Sequence, residues 1–174
     1  VLEEELEFKR ELSIMYFKSF DNSDGFFPIS ENYHQQGILN KTIAPIIIDN
    51  NIEIDLRLKT KRLSLNLDFY GILAIELFEL LDGSILFNEI APRPHNSFHW
   101  TMDGCDNSQF DILIRTICGL PVKDVKCSGK WEMTNIIGEE INNIGDIINN
   151  QDYMLHLYSK QQTKPGRKMG HYNT

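Results

Sequence analysis

The sequence predicts an α+β fold, an antiparallel sheet with helices followed by a small β-rich domain, on three observations. Strand-length apolar or alternating runs recur from the first residues and are separated by Asx/Gly turn signals. Only two long segments, 50–68 and 106–121, carry helical spacing. Past Pro121 the chain turns to short strand-like runs.

In order, "VLEEELEF" and "RELSIMYFKSF" read as two strands, and "DNSDG" supplies the turn that reverses the chain into "FFPIS". "ENYHQQGILNKTIAP" reads as a polar loop. Residues 50–68 form an amphipathic helix with Ile52, Leu56, Leu63 and Leu67 near one face. "YGILAIELFELLDGSILFNEIA" is a hairpin around Asp82-Gly83. "DNSQFDILIRTICGLP" is a helix with Phe110, Leu113, Ile114 and Ile117 inward and Gly119 as its stop. Residues 1–121 and 122–174 are therefore expected as separate domains. In the second, "GKWEMTNIIG" and "YMLHLYSK" are strands around an Asn-rich connection able to hold a short helix, before a basic ending, "KQQTKPGRKMGH".

Composition narrows the function classes. With 174 residues and 41% apolar content the chain can bury a core, and its net charge of −8 argues against a broad nucleic-acid surface, which needs clustered basic residues. No run approaches the ~20 apolar residues of a membrane span, and "VLEEELEFKRE" lacks the features of a secretory signal. Cys105, Cys118 and Cys127 are odd in number without C-x-x-C spacing, which suggests neither a disulfide framework nor a zinc site and makes a reducing cytoplasm the simplest setting.

The hairpin carries the first candidate site. With Asp82-Gly83, or the four residues 81–84, as the loop, the numbers of opposed residues sum to 165 and Glu76 faces Glu89. Alternation then puts Phe78, Leu80, Ile85 and Phe87 on the same face. Opposed carboxylates are destabilising unless a shared proton, a nearby cation or a hard divalent ion such as magnesium compensates. A three-residue loop would instead slip the register and leave both acids solvated. Beyond the strand, Pro92 and Pro94 stiffen a loop that presents Arg93, His95 and Asn96. Arg93 offers a planar fork suited to phosphate or carboxylate, whereas Trp100 reads as a core aromatic.

The run "NEIAPRPHNSFHW" with the later "SQF" and "ICGLP", together with the closing "LHLYSK" and "KPGRKMGH", resembles the 5-(carboxyamino)imidazole ribonucleotide synthase family, ATP-grasp enzymes of bacterial purine synthesis. The resemblance implies the C-terminal half of an ATP-grasp fold and most of a small last domain. It also implies a ligase that uses ATP to activate bicarbonate and carboxylates aminoimidazole ribonucleotide, with magnesium as cofactor and ADP and phosphate as by-products. A homodimer and a mutase that consumes the product are further implied partners. By position, Glu3, Glu4, Glu5 and Leu6 match the strand lining the adenine, Glu11 the acid that holds the ribose, and His34 a nucleotide-site histidine. Asn88 and Glu89 match the pair at the phosphates, with Glu76 and Glu89 as magnesium ligands. Arg93, His95 and Asn96 match the substrate loop, with Arg93 as the catalytic residue, and Lys160 with Arg167 match the grip on the ribonucleotide phosphate.

Two positions depart from the family pattern. Phe98 replaces a usual glycine, adding bulk beside the substrate loop, and Lys18 replaces a common arginine. The family's N-terminal domain, its glycine-rich loop and its ATP-binding lysines have no counterpart, and the chain stops short of the usual C-terminal end. It is expected to be a piece of something longer and inactive alone. Two other readings compete: an ATP-grasp ligase acting on a different acceptor, and a non-catalytic nucleotide-binding remnant.

Overall fold

The computed structural model describes residues 6–174, and an antiparallel sheet runs through it from one end to the other. Strands β1 (Phe8–Lys18), β2 (Asp24–Phe26), β3 (Ser30–Gln35), β4 (Ile38–Ala44), β5 (Gly71–Leu80), β6 (Ile85–Ala91), β7 (Trp131–Ile137), β8 (Met154–Leu157) and β9 (Lys168–Asn173) lie in the order β6-β5-β1-β3-β4-β7-β9-β8, with β2 on the end of β1. The helices are α1 (Asn50–Asn66), α2 (Thr101–Gly104), α3 (Gln109–Ile117) and α4 (Gly145–Asn149), with 3-10 turns at Asn96–Phe98 and Gly138–Asn143.

Strand β1 is the axis because both its faces are apolar. Leu12 and Ile14 pack with Leu73, Ile75, Leu77 and Leu56 of α1. Met15 and Phe17 pack on the other face with Phe27, Phe98, Trp100 and Ile112. Burying a side chain of this size is worth roughly 1.5–3 kcal/mol, so the two clusters together fix the strand in place. Helix α1 starts where Asp49 Oδ1 accepts from the Asn51 amide at 2.8 Å. Ser108 and Asp111 form a capping box at the start of α3. The latter helix ends at Gly119, whose φ of 64° is the left-handed conformation its stop requires.

Several sequence expectations change. Of the first expected strand, residues 1–5 lie outside the described residues, while its last residue, Phe8, opens β1, which runs unbroken to Lys18. The polar loop at 31–45 is the β3–β4 hairpin, turned by Gln36 (φ 51°) and Gly37 (φ 74°). The α1 face buries Leu56, Thr60 and Ser64, while Leu67 is exposed at the C-cap. The inward face of α3 is Gln109, Ile112 and Thr116, so Phe110, Ile114 and Ile117 are exposed. Phe98 sends its ring into the core against Phe27, not toward the loop surface, and Lys18 lies buried with its ammonium 4.4 Å over the Tyr70 ring. The basic ending contains strand β9. The sheet also crosses residue 121, because β4 pairs with β7 from Lys41↔Thr134 to Ala44↔Trp131.

The cysteines overturn the unpaired reading, since Cys105 and Cys127 form a disulfide while Cys118 is free and exposed. Local spacing gave no sign of it, because Cys127 lies 22 positions beyond Cys105 and the chain between them, including α3, must return it. Hydrogen bonds from the Asp106 amide to the Lys126 carbonyl (2.9 Å) and from the Ser128 amide to the Gly104 carbonyl (3.0 Å) hold the same contact. Closing such a loop stabilises by up to about 3 kcal/mol in the chain-entropy account. Cys127→Ser should therefore melt several degrees below the parent protein without reductant and together with it in dithiothreitol. A parent melting curve indifferent to reductant would show that the two thiols are not paired in solution.

Candidate functional site

The site starts from the β5–β6 hairpin. Its loop is three residues, Leu81-Asp82-Gly83, with the Leu80 amide donating to the Ser84 carbonyl at 2.9 Å. Phe78 consequently faces Leu86, and Leu77 faces Phe87. An irregularity at Asn88 then inserts one residue and restores the longer register, so Glu76 faces Glu89, Ile75 faces Ile90 and Ala74 faces Ala91. The opposed carboxylates are thus present by a route the hairpin arithmetic did not contain. Their surroundings differ from the alternation argument too, because Ile85 and Phe87 belong with Leu77, Leu56 and Leu63 against α1, on the opposite side from Glu89.

Glu76 and Glu89 open into a cavity of about 470 Å³ lined also by His34, Gly37, Ile38, Leu39, His95, Lys160, Gly166 and Lys168. Strands β3 and β4 supply one wall, the hairpin the second, and the chain from Lys160 to Lys168 the third. Gly166, at φ 72°, lets its turn sit against β4, where an added Cβ would be 3.0 Å from Ile38 Cδ1. His34 Nδ1 lies 2.6 Å from Glu11 Oε2, joining two residues the sequence had assigned to one ligand.

His95 reaches the cavity from a loop held underneath by Gln109. The His95 amide donates to Gln109 Oε1 at 2.8 Å, and Gln109 Nε2 donates to the His95 carbonyl at 2.9 Å and lies 2.8 Å from His99 Nδ1. His99 stacks on His171, and His171 stacks on His156, whose Nε2 is 2.8 Å from Asp103 Oδ2. Burial drives His95 and His99 down to about 4 and His171 to about 3, so all three are neutral at pH 7.

Not every sequence candidate joins the cavity. Arg93 is exposed, donates to the Pro94 carbonyl at 3.0 Å and stands 3.9 Å from Glu89 Oε1. Asn96 exchanges amide hydrogen bonds with buried Asn135, at 3.0 and 2.6 Å. Arg167 donates to the Gln162 carbonyl at 3.2 Å on the turn's outer side. Asn88 is the exposed extra residue of the bulge, and Leu6 is exposed near the start of β1. Glu3, Glu4 and Glu5 lie outside the described residues. Sequence reasoning missed Lys168, hidden in the basic ending, along with Gln109 and Asn135, which are polar positions in apolar patterns. The "SQF" motif was the available signal for Gln109.

Two family models divide the chain between them. The ATP-grasp domain matches residues 1–110, and the phosphoribosylaminoimidazole carboxylase C-terminal domain matches residues 132–174. The chain belongs to the ATP-grasp family. Among its relatives, the N5-carboxyaminoimidazole ribonucleotide synthase of Bacillus subtilis is 38% identical over 172 residues, covering 98% of this chain and 45% of that protein. The Brucella melitensis synthase is 37% identical over 171 residues, 98% of this chain and 47% of that protein. Solved structures agree. The Staphylococcus aureus N5-carboxyaminoimidazole synthetase complexed with ADP superposes with a TM-score of 0.91 at 33% identity, covering 99% of this chain and 47% of that one. The Aspergillus clavatus synthase in complex with ADP and 5-aminoimidazole ribonucleotide gives 0.88 at 31%, covering 98% and 47%. The chain spans about half the length of these relatives.

Burial, and then the negative charges of Glu89 and Glu11, raise the Glu76 carboxyl above its ordinary value. The protonated form is therefore favoured on folding, and this stabilisation is lost as pH rises through the raised value. Without divalent cations, Glu76→Gln should leave the melting temperature unchanged near pH 4 and raise it relative to the parent protein at pH 7–8. A variant several degrees less stable at pH 8 would mean that the ionised carboxylate is structural.

Proposed function

We propose that this chain forms the C-terminal half of the active site of an enzyme that carboxylates 5-aminoimidazole ribonucleotide with bicarbonate at the expense of ATP. The observation that carries the reading is the meeting of Glu76, Glu89, His95 and Lys160 in one cavity, in a chain that superposes on a relative bound to ADP and that ribonucleotide. ATP would phosphorylate bicarbonate. The amine of the ribonucleotide then attacks the carboxyl carbon, a C–N bond forms, the C–O bond to phosphate breaks with the electron pair leaving on phosphate, and the amine gives up a proton.

The roles follow the family resemblance, and the cavity supports those of His34, Glu76, Glu89, His95 and Lys160. Glu76 and Glu89 fit a magnesium ion, since two opposed oxygen donors are relieved of mutual repulsion by a hard cation. Among the described residues no group of three such side chains forms a metal cage, so the remaining ligands would be ATP phosphates and water. That ion would neutralise charge on the transferred phosphoryl group. Leu6, with Glu3 to Glu5 preceding it, would line the adenine. Glu11 and His34 would hold the nucleotide, and Asn88 would serve the phosphates. Arg93, His95 and Asn96 would position the ribonucleotide, with Arg93 swinging in from solvent. Lys160 and Arg167 would take its phosphate, Lys160 already facing the cavity and Arg167 turning to reach it. The two family matches, ending at 110 and resuming at 132, support a domain division near residue 121. A homodimer, a cytoplasmic setting and a product-consuming mutase complete the proposal.

Because positioning and charge stabilisation carry phosphoryl transfer, half of a site should not turn over. The isolated chain is expected to release no ADP, whereas the full-length protein should release it with bicarbonate and ribonucleotide together. In the full-length protein, Glu89→Gln should cost orders of magnitude in turnover. Lys160→Ala should raise the KM for ribonucleotide about tenfold or more, the loss of a charged hydrogen bond, with that for ATP nearly unchanged. ADP release driven by another amine would point to a different acceptor, and nucleotide binding without any turnover would leave a non-catalytic module.

A further inference from the structure

Lys160 reaches the cavity from a strained turn. Strand β8 ends at Leu157, yet the Tyr158 amide still donates to the Met169 carbonyl at 3.0 Å, so Tyr158 prolongs the ladder with β9. At Ser159 the backbone leaves the ladder with φ at 51°, in the left-handed region that a residue bearing a Cβ occupies only at a cost. Such a conformation persists where its surroundings over-determine it. The contacts of the next residue do so: Lys160 donates to the Lys168 carbonyl, and its ammonium lies 5.3 Å from the centre of the Tyr158 ring. The turn folds the lysine back over the aromatic face that precedes it.

The ring is held from behind. Tyr158 Oη lies 2.8 Å from His171 Nδ1, and His99 packs edge-on to the ring at 6.0 Å. His171 is itself 1% exposed and stacked between His99 at 4.9 Å and His156 at 4.7 Å. Burial raises the phenol and lowers the His171 imidazole to about 3, so both are uncharged at pH 7. Tyr158 therefore offers Lys160 a fixed, neutral π face, which attracts a cation. A lysine otherwise meets its ligand on a flexible four-carbon stem, and ordering that stem opposes binding. We propose that Tyr158 is a positioning residue for the ribonucleotide, its ring holding the Lys160 ammonium ready for the phosphate while His171 anchors its hydroxyl from the core. This assignment rests on the function proposed above.

The test is a double-mutant cycle in the full-length protein, with 5-aminoimidazole ribonucleotide, ATP and bicarbonate each varied in turn. Tyr158→Leu should raise the KM for ribonucleotide by about three- to tenfold, as for one lost cation–π contact, with the other two KM values changed by no more than about twofold. Tyr158→Phe keeps the ring and should recover most of that loss. In a Lys160→Ala background, Tyr158→Leu should add less than about twofold, because it acts through the lysine already removed. Should Tyr158→Leu not fold, Tyr158→Met, which also lacks the aromatic face, takes its place in the cycle. A loss of the same size in both backgrounds marks a role in folding alone and overturns the inference. An unchanged ribonucleotide KM in an otherwise active Tyr158→Leu protein also overturns it, while leaving the function intact. A parent protein that makes no carboxylated ribonucleotide sinks the functional reading, and this inference with it.

Discussion

The cavity exists because β4 pairs with β7. That ladder of four residue pairs joins the strands carrying Glu76 and Glu89 to β9, which carries Lys168, and to the β8–β9 connection, which carries Lys160. Without it the acidic and basic halves of the site would belong to separate bodies. Asn135 reinforces the join from inside: its amide donates to the Leu39 carbonyl at 2.9 Å and to Asn96 Oδ1 at 2.6 Å. One buried side chain of β7 thus ties together the strand that walls the cavity and the loop that presents His95. Removing its acceptors would leave buried donors unsatisfied, a loss of about 1–3 kcal/mol each. The Gly166 turn against Ile38 closes the same contact at the cavity mouth.

The electrostatics of this arrangement are unsatisfied in a directed way. Burial raises the Glu76 carboxyl and lowers the Lys168 ammonium, so each is less comfortable charged than it would be in water. Between them the imidazole of His95 is neutral at pH 7 and screens neither. The protein therefore separates its charges where collapsing them into ion pairs would have lowered the free energy of the empty site. A site for phosphoryl transfer gains from this, because fixed charges that need not reorganise stabilise the reacting groups more than mobile ones do. The stack of His99, His171 and His156 beneath the loop adds support, and within it burial keeps His99 and His171 from adding a competing charge.

Much of the sheet was legible in the sequence, for reasons that also mark where legibility ended. The two long helices and the hairpins at Asp21–Asp24 and Asp82-Gly83 announce themselves through periodicity and turn residues. The β3–β4 hairpin does not, because its strands are polar where they turn inward: Asn32, buried and hydrogen-bonded to Ser13 and Thr42, and His34, at the cavity, stand where an alternating core pattern would place apolar residues. The inward face of α3 was misjudged for a related reason. Gln109 and Thr116 are buried because they hydrogen-bond backbone at 95 and 113, leaving the apolar Phe110, Ile114 and Ile117 outside. The cysteine pairing and Lys168 depend on chain segments far apart in sequence, and no local pattern encodes such meetings. Short motifs carried the family; they did not carry the partners of Asn96 and Arg167.

The bulge at Asn88 shows why register, and not composition, decides this site. A three-residue loop alone would place Glu76 opposite Asn88 and send Glu89 to the face of Leu77, against α1. Under strict alternation Phe87 and Glu89 would share a side, so either an aromatic ring would enter the cavity or a carboxylate would be buried beneath the helix. One inserted residue separates them: Phe87 keeps its place against Leu56 and Leu63, and Glu89 crosses to meet Glu76. The local cost is an interrupted ladder at an exposed position on an edge strand, where water can satisfy the freed backbone groups. The gain is that two carboxylates oppose each other at the one point of the hairpin that faces the basic wall. Hydrophobic packing against α1 and charge placement in the cavity are thereby satisfied by the same seven-residue strand, which no uninterrupted alternation could have achieved.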